Sequence, residues 1–135
     1  MPCLLDTCAI LWLMNGDWLS DAGRECIADA ERADGVFVSP FSAWEVATLV
    51  RKNRVLLSMD AEAWFDTVLR LPGMRLAPMP PRTLIASASL PGSPPGDPAD
   101  RIILATARAE NLTVVTRDAG MLAYAAAGHA RALKC

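Results

Sequence analysis

Residues 98–118 read PADRIILATARAENLTVVTRD. Ile103, Leu104 and Ala107 fall on one helical face, while Arg101 and Arg108 mark the opposite one, so Pro98–Glu110 is predicted as an amphipathic helix. Pro98 suits the first helical position, where its missing N–H costs nothing, and Asp97 before it has the form of an N-cap. Leu112–Thr116 follows at once as a short run rich in β-branched residues, which reads as a strand. Asp118 then opens another helix, Asp118–Ala127. A short strand that is apolar throughout, set between two helices, belongs in a parallel sheet covered on both faces.

The same alternation extends in both directions. Cys3–Asp6, Val36–Ser39 and Met74–Met79 read as strands, and Arg131–Leu133 as a last edge strand. Between them lie helical patterns: Ala9–Met14, Ser20–Ala33 with Ser20 as N-cap, Pro40–Lys52 with Ser39 as N-cap, Asp60–Leu71 and Pro81–Ser89. Pro91–Pro98 (PGSPPGDP) is the one clear loop. No repeat or low-complexity tail interrupts the pattern. The expectation is an α/β fold, a three-layer α/β/α sandwich around a parallel sheet of four to five strands, with residues 1–135 forming one domain.

Composition narrows the function classes. The chain is 53% hydrophobic but only 6% aromatic, which excludes disorder and calls for an aliphatic core. Fifteen acidic against thirteen basic residues give a net charge of −2, which argues against a binder held on nucleic acid by charge alone. Cys3, Cys8, Cys26 and Cys135 form no C-x-x-C pair and His129 is the only histidine, so no zinc site is expected. Cys135 is expected at an exposed position with no role. The beginning Met1-Pro2-Cys3-Leu4-Leu5 has no basic stretch and Asp6 cuts its apolar run, and no segment approaches the ~20 apolar residues of a membrane span. A cytoplasmic protein with reduced thiols is expected.

Five acids stand in unusual places. Asp6 directly follows the first strand, and Asp118 follows the Leu112–Thr116 strand. Both read equally as helix N-caps or as functional carboxylates. On the Pro40–Lys52 helix, Glu45 shares a face with Phe41 and Leu49 and so interrupts an apolar stripe. Asp100 lies on the face of Ile103, Leu104 and Ala107, while Asp97 has the stronger claim to being only a cap. In open parallel sheets, sites form at the carboxyl ends of the strands, where these acids gather. The only lysines, Lys52 and Lys134, are not among them. Two carboxylates ~4 Å apart repel by roughly 4 kcal/mol at an effective dielectric of ~20. Such a cluster shares protons or holds a divalent cation, and all-oxygen ligands favour Mg²⁺ or Mn²⁺. That chemistry suits phosphodiester hydrolysis.

At these residues the chain resembles PIN domains, and in particular the toxin nucleases of VapBC-type toxin–antitoxin pairs. The matching pieces are Leu4-Leu5-Asp6-Thr7, Ser42-Ala43-Trp44-Glu45-Val46-Ala47, the run from Gly96-Asp97-Pro98-Ala99-Asp100 through Ala107, and Val115-Thr116-Arg117-Asp118. The resemblance implies a quartet of Asp6, Glu45, Asp100 and Asp118 that binds Mg²⁺ or Mn²⁺, with Asp97 as an accessory acid. It implies endoribonuclease cleavage of tRNA, rRNA or mRNA, inhibition of translation, a cognate antitoxin that itself binds DNA, and a homodimer. The chain departs from many relatives in having Pro95 where they carry a histidine.

Further residues have two uses open to them. Arg101, Arg117 and Thr116 are candidates for contacts at the site, the arginines with phosphate and Thr116 with a carboxylate or water. Arg51, Lys52 and Arg54 could meet backbone phosphates or simply complement the dipole at a helix end. Trp12, Trp18, Trp44 and Trp64 suit the core or a groove for the antitoxin. Rival acidic-pocket folds fit less well. A haloacid-dehalogenase-type phosphatase needs an aspartate where Cys8 stands, and a receiver domain needs a lysine after a late strand. A catalytically degenerate PIN domain that only binds protein or RNA is the remaining alternative.

Overall fold

The computed structural model describes residues 1–33 and 35–135. Among these residues five strands form one parallel sheet: β1 (Cys3–Leu5), β2 (Val36–Val38), β3 (Met74–Leu76), β4 (Thr113–Thr116) and β5 (Arg131–Lys134). Their order across the sheet is β3-β2-β1-β4-β5. The chain therefore starts in the middle, builds outward to β3, then crosses back to build the other half. The strands between which it changes direction are β1 and β4, the topological switch point at which parallel sheets open a crevice.

Among the described residues the helices are α1 (Thr7–Asn15), α2 (Asp21–Arg32), α3 (Pro40–Arg51), α4 (Ala61–Leu69), α5 (Pro81–Ala88), α6 (Pro98–Glu110) and α7 (Ala119–Ala126). Alternation along each strand divides the core into two halves. Cys3, Leu5, Val36, Val38 and Val115 face one side, where Ile10, Ile27, Val46, Trp64 and Val68 of α1–α4 cover them. Leu4 and Val114 face the other side, against Ile103, Leu104, Met121 and Tyr124 of α6 and α7. This is the expected three-layer sandwich. Both edge strands expose charged residues, Arg75 on β3 and Arg131 and Lys134 on β5, which discourages pairing with another chain.

Capping sets the helix starts. Asp6, Ser20, Ser39, Asp60, Asp97 and Asp118 each accept a hydrogen bond from a backbone N–H in the first turn of the helix that follows. The predicted Met74–Met79 strand is shorter than expected. Ala77 N–H still bonds the Val38 carbonyl at 2.8 Å, but Pro78 has no N–H to continue the ladder.

Cys135 corrects an expectation, since it is buried rather than exposed. Its N–H bonds the Thr116 carbonyl at 3.1 Å and its carbonyl accepts from Arg117 Nε at 3.0 Å. A Cβ on Gly23 of α2 would lie 2.9 Å from its own, so only glycine admits it there.

The entry to β3 depends on a second glycine. Gly73 has φ +76°, and a Cβ there would stand 2.6 Å from the backbone of Glu31 on α2. Gly73→Ala should therefore cost at least about 1 kcal/mol, combining left-handed strain with a backbone clash. A urea titration should show a lower midpoint with an unchanged slope.

Candidate active site at the carboxyl edge of the sheet

Asp6 and Thr116 stand level at the switch point, because Leu5 pairs with Val115 in the register of β1 and β4. Asp6 is only 6% exposed. One carboxylate oxygen, Oδ1, accepts from Ala9 N–H at 2.8 Å and caps α1. The other, Oδ2, accepts from the hydroxyl of Thr116. That same hydroxyl accepts from Asp118 N–H at 2.9 Å, and Asp118 Oδ2 accepts from Met121 N–H at 2.8 Å to cap α7. Thr116 is thus a fixed link between the two acids that follow β1 and β4.

The cap and functional readings of these residues do not compete. Capping uses one oxygen of each carboxylate and fixes its direction. Asp118 Oδ1 and both carboxylate oxygens of Asp100 accept no hydrogen bond among the described residues. Asp97 caps α6 through Asp100 N–H at 3.3 Å, which places Asp100 in the first turn of α6.

Glu45 arrives from α3, and here the sequence reading needs correction. The face of α3 that enters the core is centred on Ser42 and Val46, with Leu49 packed beside them, rather than on Phe41, Glu45 and Leu49. Glu45 sits half-buried on the flank of that face. Thr7 donates its hydroxyl to Glu45 Oε1, and its Oγ1 lies 2.9 Å from Ser42 Oγ, leaving Ser42 the donor in that second bond. Thr7 and Ser42 therefore aim Glu45. Composition and periodicity did not single them out; the available signal was a hydroxyl residue directly after one acid and another one turn before the next.

Electrostatics shows that the five acids share one region. Burial raises Asp100 most, and the charges of Asp97, Asp118, Asp6 and Glu45 add to it, bringing its carboxyl to about 7. Burial likewise raises Glu45, with Asp97 and Asp6 adding to the shift against the opposing hydrogen bond from Thr7. Asp6 is raised by burial despite bonds from Thr116 and Ala9, with Asp118 adding and Arg117 opposing. The thiol of Cys8 registers the same field. Burial and then the charges of Asp6, Glu45, Asp100 and Asp118 push it up to about 11.

Arg101 and Arg117 direct much of their hydrogen bonding to backbone. Arg101 donates to the carbonyls of Ser87 (2.9 Å), Pro95 (3.1 Å) and Ala88 (3.1 Å), tying the end of α5 to the proline-rich loop. Arg117 donates to the carbonyls of Cys135 and Trp18, with its guanidinium 3.9 Å from the centre of the Trp12 ring. Of the other tryptophans, Trp64 is buried while Trp18 and Trp44 are exposed.

The donor set suits a hard divalent cation. Every available ligand is a carboxylate oxygen, several are unused, and their mutual repulsion lacks a lysine to offset it. Among the described residues no three acid, cysteine or histidine side chains form a ready-made cage. Mg²⁺ needs none, since it commonly keeps several waters and takes one or two carboxylates.

Residues 3–127 match the PIN domain family. The chain belongs to that family. It is 34% identical over 116 residues to Ribonuclease VapC22 of Mycobacterium tuberculosis, spanning 85% of each chain. Two solved structures share the fold at low identity. A chain in the crystal structure of VapBC2 from Rickettsia felis, bound to a DNA fragment from their promoter, aligns with TM-score 0.70 at 16% identity, covering 99% of this chain and 98% of that one. A chain of FitAcB from Neisseria gonorrhoeae aligns with TM-score 0.63 at 21% identity, covering 97% and 96%.

The raised carboxyl of Asp100 has a consequence for stability without metal. Its folded value lies above its unfolded one, so the folded state binds the extra proton between about pH 4 and pH 7. Stability associated with Asp100 is present below that window and is lost as pH rises through 7. Asp100→Asn, which keeps the backbone N–H that Asp97 caps, should raise the melting temperature in EDTA at pH 8. The gain should shrink toward pH 4.

Proposed function

We propose that this PIN-domain chain is a metal-dependent endoribonuclease and the toxin of a toxin–antitoxin pair. The observation that carries the reading is the set of carboxylates from the ends of β1 and β4 and from α3 and α6, with no lysine among them, at the switch-point crevice. The 34% identical relative, itself named a ribonuclease, supports the choice of RNA as substrate. The single-domain span 1–135 accords with one sheet carrying the whole site.

In this reading Asp6, Asp100 and Asp118 hold Mg²⁺ or Mn²⁺, directly or through water, with Glu45 completing the quartet and Asp97 as an accessory acid. The cation, when bound, supplies a more acidic water, a grip on the scissile phosphate and charge stabilisation for the leaving oxygen. Glu45 is positioned to take the proton from the attacking water. Thr7 occupies Oε1, and burial has raised the basicity of the carboxylate. Thr116 keeps Asp6 and Asp118 from separating as charge builds. Burial, with the charge of Asp97 next, raises Asp100, so that its carboxyl would exchange a proton for a cation near neutral pH. Arg101 and Arg117 retain N–H groups beyond those given to carbonyls, and these are available to a phosphate. Arg51, Lys52 and Arg54, all exposed at the end of α3, meet phosphates farther along the strand.

The biological reading follows from the same site. A nuclease of this kind acts on cytoplasmic RNA and halts translation until an antitoxin covers it. Exposed Trp18 is a suitable anchor for such a partner, and a homodimer is the expected assembly. Among the described residues no helix is long and apolar enough to cross a membrane.

The test is cleavage of total RNA by the purified chain with Mn²⁺ or Mg²⁺, and with EDTA. Discrete fragments should form with metal and vanish with EDTA. Asp100→Asn, which spares the helix cap, should lower the rate by about a hundredfold or more. Full-rate cleavage by that variant would refute the mechanism. Absence of both cleavage and Mn²⁺-dependent thermal stabilisation would indicate a degenerate, binding-only domain.

A further inference from the structure

The helix that supplies Glu45 also carries an exposed aromatic surface, which begins at the residue before Glu45. With about 100° of rotation per residue, the side chains of α3 leave the core in the order Val46, Glu45, Phe41, Trp44. Phe41 lies about 40° beyond Glu45 around the helix, and Trp44 about 60° further. Phe41 is half-buried and stacks on Trp44 with ring centroids 5.2 Å apart and planes 29° from parallel. One face of the indole is thus backed by Phe41, yet Trp44 is 60% exposed. Arg51, seven residues on, returns to nearly the same angle as Trp44 and is exposed, with Lys52 and Arg54 beside it. Seven residues of helix separate the ring and the guanidinium by roughly 10 Å along the axis.

We propose that this flank of α3 is a single-stranded RNA track in which a nucleobase next to the scissile phosphate stacks on Trp44 and the following phosphates run toward Arg51. The inference rests on the ribonuclease reading and specifies how that site takes its substrate. An aromatic platform followed by cations is the chemistry that holds single strands without reading sequence. Phe41 fixes the ring in advance, so little conformational freedom is lost when a base arrives. An acidic crevice repels the phosphates of RNA, and an uncharged stacking contact supplies affinity there at no electrostatic cost. Because Trp44 touches the base rather than the reacting atoms, its contribution belongs to binding.

The test compares the wild type with Trp44→Ala, Trp44→Phe and Arg51→Gln. Affinity for a short fluorescein-labelled single-stranded RNA is measured by anisotropy in EDTA over a range of salt. KM and kcat are measured with Mn²⁺. Trp44→Ala should raise Kd and KM by about 5- to 50-fold with kcat within about twofold, and leave the salt dependence unchanged. Trp44→Phe should recover much of the loss. Arg51→Gln should make the salt slope shallower by about 0.7. An abasic strand of the same length should bind wild type and Trp44→Ala alike.

Unchanged Kd and KM in Trp44→Ala would overturn the proposal, as would a wild type that binds no single-stranded RNA. A shift of Trp44→Ala in sedimentation at unchanged RNA affinity would also overturn it and assign the aromatic pair to an interface between copies. Cleavage that persists while Trp44→Ala is indifferent defeats only this inference. A stacking-dependent Kd without any cleavage defeats only the nuclease reading.

Discussion

Like charge held in place is the constraint on which the site depends. Carboxylates left to themselves would swing apart or take up protons. Here the fold prevents the first. Asp6 and Asp118 are each anchored by a helix N-cap and joined through the hydroxyl of Thr116, and Glu45 is tethered by Thr7. Each cap contributes about 1 kcal/mol to its helix, and that local gain offsets part of the repulsion it helps to maintain. Burial first, and then this repulsion, raises the Asp100 carboxyl to about 7 and the Cys8 thiol to about 11. In the proposed reading a divalent cation would relieve this stress by taking the place of protons.

The sheet order makes this arrangement possible. Because the chain turns back at the β1–β4 boundary, the residues after two strands distant in sequence become neighbours. α3 and α6 then bring in Glu45 and Asp100 from opposite faces of the sheet. The layered core explains why the acids do not move away. β1 and β4 are buried on both sides, by Ile10 and Val46 on one and Leu104 and Met121 on the other. Displacing Asp6 would require disturbing strands that the entire core grips.

Much of this was legible in the sequence because its signals are local. Apolar runs with no alternation imply strands covered on both faces, and serine, aspartate and proline at helix starts mark boundaries through N–H accounting alone. The features that escaped are those that depend on tertiary direction. The core face of α3 was set too far toward Phe41 because Ser42, which is fully buried, counts as polar in any periodicity argument. Its burial is tolerated because its hydroxyl meets Thr7, a partner 35 residues away. The carbonyl bonds of Arg101 and Arg117 were equally invisible, since backbone acceptors leave no trace in residue identity. Cys135 is buried because Gly23 leaves room for it on α2, a long-range complementarity that neither residue advertises.

The central claim is that the acids at the switch point form one electrostatic unit awaiting a divalent cation. It is tested most directly by an NMR titration of the Asp100 carboxyl, without metal and with saturating Mg²⁺. The account predicts an apparent pKa near 7 without metal, falling well below the usual carboxylate range when Mg²⁺ is present. A carboxyl that titrates near 4 in both conditions would contradict it.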